Sequence, residues 1–193
     1  MASAVRAERL YRVGLVLQAI TPVCTIVLAY ALFAVTRAVD RHLAAMALLF
    51  RLGETYIGSV AIMPSFGQLD IYKAMHAGAP QAAAHWDALL ALSRSARFVG
   101  FNTSTLFFSC GSILFFILLH RDRLIPSVQT VFGLFASALV TLVSLANMIF
   151  PEHGAVFQFG WAPIFLSEIV TGTWLLVRGV RLGPASGTPR QAR

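Results

Sequence analysis

Ala45-Met46-Ala47-Leu48-Leu49-Phe50-Arg51-Leu52-Gly53-Glu54-Thr55-Tyr56-Ile57-Gly58 sets an arginine and a glutamate, three residues apart, inside a run otherwise apolar enough to cross a bilayer. On a helix that spacing puts both side chains on one face. Ionisable groups at membrane depth are costly, so they face a protein interior or a water-filled cavity, usually paired. The fold class follows from this stretch and its surroundings: an all-helical, polytopic transmembrane bundle.

Composition agrees. Hydrophobic residues make up 58% of the 193 and charged residues 12%, and the mean hydropathy is +0.74. A soluble domain carries about twice that share of charge. Five spans are expected, at about 15–36, 43–64, 98–119, 127–149 and 156–178, with short interfacial helices in 66–97. Residues 1–182 read as one domain and 183–193 as a disordered basic tail.

The net charge of +7 is almost all arginine, Lys73 being the only lysine. Most of the arginines lie at span ends, where they set topology and meet headgroups, and no basic patch interleaves with exposed aromatics. The partner is therefore the lipid bilayer, together with a second copy or another membrane protein, and not nucleic acid. Cys24 and Cys110 fall in predicted spans without a CxxC and read as small buried apolar residues.

Along the chain, the apolar run to Thr36 is too long for a signal-peptide core and reads as an uncleaved span kinked at Pro22. Pro64 marks the expected end of the second span. Leu69, Tyr72 and Met75, then Trp86, Leu89, Leu90 and Ser93, recur at helical spacing on either side of Gly78-Ala79-Pro80. Asn102, Thr105, Ser109 and Ser112 line one side of the third span, and Gly133, Ser137, Thr141, Ser144 and Asn147 one side of the fourth. Small and polar residues so placed are what helices use to pack in lipid, with cavity lining as the alternative. Trp161 and Trp174, near the ends of the last span, fit an aromatic belt. The side holding Arg37, Arg41, Arg121, Arg123, Arg178 and Arg181 is assigned to the cytoplasm, which leaves Arg6, Arg9 and Arg12 outside, against the charge rule.

Three motifs are similar to those of one family. Leu49-Phe50-Arg51-Leu52-Gly53-Glu54 resembles its LFR-x-x-E/A signature, and Arg121-Asp122-Arg123-Leu124-Ile125-Pro126 its Y/HRS-R-x-IP turn. Glu168-Ile169-Val170-Thr171-Gly172-Thr173-Trp174-Leu175-Leu176-Val177-Arg178-Gly179 resembles its closing E-x-x-x-G-x-WLL-x-KG. The family is the bacterial integral membrane group called domain of unknown function 4386. The resemblance covers about 12–182 and implies a bacterial plasma-membrane protein, with no catalytic residue to carry over. It also implies one more N-terminal helix in the family than in this chain, which would account for the misplaced N-terminal arginines.

Leu52-Gly53-Glu54-Thr55-Tyr56-Ile57-Gly58 and Leu166-Ser167-Glu168-Ile169-Val170-Thr171-Gly172 share L-[GS]-E-x-x-x-G. Their spans run in opposite directions, as the halves of an inverted repeat do. Arg51, Glu54 and Glu168 carry one net negative charge if all are ionised. Two readings stand: a structural ion pair that fixes helix register, preferred on sequence alone, and a proton- or cation-binding site. The latter extends to a small proton- or cation-coupled transporter. A polar cavity reaching either glutamate separates the two, since a scaffold keeps these groups paired and dry. The histidines, His42, His76, His85, His120 and His153, lie outside the spans or at their ends, so no haem or other cofactor and no metal is expected. No span holds a central histidine or lysine to activate Ser59, Ser109 or Ser112, so the chain reads as a non-catalytic structural or ligand- and ion-handling component, a lipid-modifying enzyme being the remote alternative.

Overall fold

The computed structural model describes residues 2–77 and 83–179. Two short turns organise it. Thr36 to Asp40 reverses the chain between α1 (Ala2–Thr36) and α2 (Arg41–Ala77), and Asp122 to Pro126 does so between α3 (Ala83–Arg121) and α4 (Ser127–Ile149). Both lie at one end of the bundle, where Arg121 reaches Asp40 at 3.6 Å. We call this the arginine end. Asp40 starts α2 by accepting the backbone N–H groups of His42 and Leu43, each at 3.0 Å, which caps the helix.

At the opposite end the helices are longer than the sequence pattern predicts. α2 and α3, of 37 and 39 residues, measure about 55 and 58 Å, against a hydrocarbon core of about 30 Å. Pro64 does not end its span. α2 continues through it, and the stretches expected as separate interfacial helices in 66–97 are extensions of α2 and α3. Side chains across the extension account for the continuity: Tyr11 donates to Ser65 O at 2.6 Å, Gln68 to Ser93 Oγ at 2.9 Å, and Lys73 meets Glu8 at 2.7 Å. Each links two of the three helices, so the helical register past Pro64 is held from outside. Gly78-Ala79-Pro80, His76's side chain and the 183–193 tail lie outside the described residues and side chains.

The fifth span is shorter as a helix than expected. From Pro151 the chain winds through a 3-10 turn (Pro151–His153), one α turn (α5, Gly154–Phe157) and a second 3-10 turn (Gln158–Trp161) before α6 (Ala162–Arg178). Pro163, in the first turn of α6, needs no amide partner there and favours that starting point. Among the described residues five helical segments are long and apolar enough to cross a membrane, and the chain is a multi-pass membrane protein.

α3 is central. It packs on α2 on one side and α4 on the other, while α1 leans on α2 and α6 on α4, giving an open arc. The α2–α3 contact is the closest: Ser104 Oγ donates to Glu54 O at 2.9 Å, and a Cβ on Gly100 would stand 2.5 Å from that of Ala61. The arginine end is closed by two apolar clusters, Ala44, Ala47, Phe115 and Leu118, then Phe116, Leu119, Leu124 and Ile125 with Trp174 and Leu175 against them.

Candidate functional site

Arg51 and Glu54 come from the same face of α2, about 15 and 20 Å from its start at Arg41, and Glu168 lies about 15 Å from the end of α6 at Arg178. All three are therefore near half the thickness of a hydrocarbon core. Arg51 is only 5% exposed. Its stem passes Gly111, where a Cβ would stand 3.0 Å from Arg51 Cγ and 3.2 Å from Ala47 O, so a side chain at position 111 would take the room the arginine uses. The guanidinium carbon sits 4.7 Å from the centre of the Phe108 ring, a cation–π contact.

Arg51 Nη1 and Glu54 Oε2 lie 3.0 Å apart, with side chains 6% and 18% exposed. The contact has the distance of an ion pair but not the alignment of a hydrogen bond, and Arg51 Nε, Arg51 Nη1 and Glu54 Oε2 have no hydrogen-bond partner. Glu168 lies within an apolar span yet is not enclosed. Its surface is open, and it feels Arg51 through space, yet among the described residues it accepts no hydrogen bond and forms no ion pair within 4 Å. It borders two voids, which is how a group surrounded mostly by protein keeps an accessible surface.

Three voids meet at these residues. A cavity of about 110 Å³ between α1 and α6 is lined by Arg51, Ser112, Glu168 and Thr171 among apolar side chains such as Leu32 and Phe115. A cleft of about 540 Å³ between α3 and the start of α6 is lined by Glu54, Phe101, Phe108, Trp161, Phe165 and Glu168. A third, of about 310 Å³ between α1, α2 and α3, reaches Glu54 from its other side, past Thr21, Thr25 and Arg97. Glu168 is shared by the first two and Glu54 by the last two. The two larger clefts lie toward the extended end, opposite the apolar clusters that close the arginine end.

Of the polar residues expected on α3 and α4, Ser112 and Thr105 line the first and second voids, and five others form a separate set. Thr141 Oγ1 lies 2.9 Å from Ser109 Oγ and 3.0 Å from Ser137 O, and Asn147 Nδ2 donates to Asn102 Oδ1 at 3.2 Å. Asn102, Ser109 and Ser137 are buried; the Thr141–Ser109 and Asn147–Asn102 contacts join α4 to α3, the Thr141–Ser137 bond lies within α4, and none of these residues borders the three voids described above. Cys24 is exposed on α1 rather than buried, and Cys110 is half-buried. Trp161 lines the large cleft with its ring 5.4 Å from Phe101, and Trp174 packs against the apolar cluster at the arginine end. Among the described residues no three His, Cys, Asp or Glu side chains could together hold a metal ion.

Sequence reasoning missed Thr171, Phe101, Phe108, Trp161 and Phe165 as neighbours of the acids. Thr171 was within reach, since it follows Glu168 by three residues and shares its helix face. The aromatics were not, because an aromatic in a lipid-facing run carries no mark of the side on which a cleft opens. A family model described as domain of unknown function (DUF4386) matches residues 1–179. No curated protein and no solved structure matches the chain.

Proposed function

The chain belongs to the family described as domain of unknown function (DUF4386), and from that premise we propose that this multi-pass membrane protein binds a cation, a proton included, at Glu54 and Glu168. One observation carries the reading: among the described residues Glu168 is an acid at mid-membrane depth without a hydrogen bond or an ion pair within 4 Å, while the guanidinium of Arg51 is engaged with Glu54. An uncompensated charge there is expensive, and a protein that keeps one is using it. The clefts that reach both acids favour this over a purely structural pair, which would be paired and dry. Both acids are open toward the extended end, so the cation enters from that side.

In the same reading the protein belongs to a bacterial plasma membrane, with the end bearing Arg37, Arg41, Arg121, Arg123 and Arg178 in the cytoplasm. It works as a homodimer, because α1 and α6 flank an open arc and each presents a long apolar outer face.

Infrared difference spectra of the protein in nanodiscs, recorded as the pH is stepped, test the site. A carboxyl band that responds in the wild type should be lost or displaced in Glu54→Gln and in Glu168→Gln. If both variants fold and give the wild-type spectrum, the reading fails.

A further inference from the structure

We propose that the large cleft between α3 and the start of α6 takes a lipophilic organic cation, of the aromatic ammonium or phosphonium kind, with its charge between Glu54 and Glu168 and its apolar body against Phe101, Trp161 and Phe165. This rests on the cation-binding reading above and names the class of cation. The cleft, at about 540 Å³, is within the range of small-molecule sites. Phe101, Phe108, Trp161 and Phe165 line it together with Glu54 and Glu168, and aromatic rings attract cations through the ring quadrupole. Phe101 and Trp161 already lie 5.4 Å apart with rings inclined by 32°, a partly formed aromatic wall.

The charged groups facing the acids are few. Arg51 comes from α2 and Arg97 of α3 borders the smaller cleft on the far side of Glu54, while α1, α4 and the chain from Pro151 to Trp161 add none to any of the three voids. With both acids ionised, the guanidinium of Arg51 against two carboxylates leaves a place for one positive charge. At the back of the site Arg51 and Thr171 are only 5% and 8% exposed, and among the described residues Arg51 Nε and Thr171 Oγ1 have no hydrogen-bond partner. Both residues line the cavity that shares Glu168 with the cleft.

Other ligands fit less well. A hard divalent ion needs six or more oxygens, and the cleft is walled largely by aromatic and apolar side chains that offer none. An anion would meet two carboxylates. A neutral lipid would leave Glu168 uncompensated.

Binding of radiolabelled tetraphenylphosphonium to the purified protein, in nanodiscs of zwitterionic lipid, tests the inference. Saturable binding above that of empty nanodiscs is expected, unaffected by potassium. Glu168→Gln should abolish it. Trp161→Ala should weaken it by about three- to thirty-fold, with Trp161→Phe recovering most of the loss. Phe165→Ala, at an exposed position where folding is not at stake, should weaken it by a similar factor. No saturable binding above that of empty nanodiscs, equal binding by Glu168→Gln, or full displacement by potassium each overturns the inference. In any of those cases a surviving infrared response of the two carboxyls would leave the cation-binding reading in place, and its loss would remove both.

Discussion

Arg51 Nη1 and Glu54 Oε2 stand 3.0 Å apart on one face of α2 without a hydrogen bond between them. The pair holds by charge, and each member depends on the other at a depth where water is scarce. Removing one alone strands the other. We expect Arg51→Met to destabilise the protein by about 3–5 kcal/mol, and Arg51→Met combined with Glu54→Met to recover most of that loss. Thermal unfolding in detergent checks both, and a double variant as unstable as the single one would show that packing against Phe108 matters more than charge.

Asn147 and Asn102 join α4 to α3 at 3.2 Å, and Asn102 also donates to Phe98 O at 2.9 Å. Bonds of this kind in membranes are modest, because the unfolded helix also finds partners. A double-mutant cycle with alanine at both positions should give a coupling of about 0.6 kcal/mol. A coupling near zero would assign the pair to packing alone.

Gly111 leaves the space through which Arg51 passes between α2 and α3, whereas a Cβ at Gly172 would meet nothing within 4 Å. Gly111→Val should therefore cost about 1–3 kcal/mol by displacing the arginine stem or the helix. Gly172→Ala should change stability by about 0.5 kcal/mol or less in either direction. The two values, measured side by side by thermal unfolding, separate a glycine kept for close approach from one that is not.

Much of this fold was readable before any coordinates, and the reason is physical. Apolar runs of about 20 residues and their arginine-bearing ends follow from the bilayer, which acts on each span separately. What depends on a neighbouring helix was not readable. α2 passes through Pro64 because Ser65, Gln68 and Lys73 find partners on α1 and α3, and the sequence of α2 carries no sign of them. The site divides in the same way. Arg51, Glu54 and Glu168 stand out because their charge is foreign to their surroundings, while the openness of Glu168 and the aromatic cleft beside it arise only when the arc is assembled. The shared L-[GS]-E-x-x-x-G motif also overstates likeness, since Gly58 lies against Ser104 and Gly172 faces open space.

Asp40 caps α2 from outside the membrane spans. The backbone N–H of Leu43, then that of His42 and the charge of Arg121, hold its carboxyl below the ordinary aspartate range. A carboxyl lowered in the folded state adds stability that is present above its unfolded value and lost as pH falls through the folded one. The protein should therefore lose stability between about pH 4 and the lower folded value, and Asp40→Ala should flatten that part of the profile. Asp40→Asn, which keeps the cap but not the charge, should retain more stability at neutral pH than Asp40→Ala. Unfolding temperatures across pH 2–7 for the three proteins check the order, and identical acid limbs would contradict it.

Arg123 adopts φ +48°, in the left-handed region that favours glycine. The cause is the way α3 ends. Leu124 N–H donates to Leu119 O and Arg123 N–H to His120 O, each at 3.1 Å. This is the Schellman closure, with Arg123 at the position glycine usually fills. Leu119 and Leu124 then meet in the apolar cluster at the arginine end, the hydrophobic contact that accompanies this motif. The turn is thus held by burial on one side while an arginine bears the strained dihedral on the other. Arg123→Gly should relieve it and stabilise the protein by about 1 kcal/mol. Arg123→Val, β-branched at a left-handed position, should destabilise it, and Arg123→Asn should fall between the two. Thermal unfolding of the three variants tests the order. A valine variant as stable as the glycine one would mean that the turn adopts another conformation in the membrane.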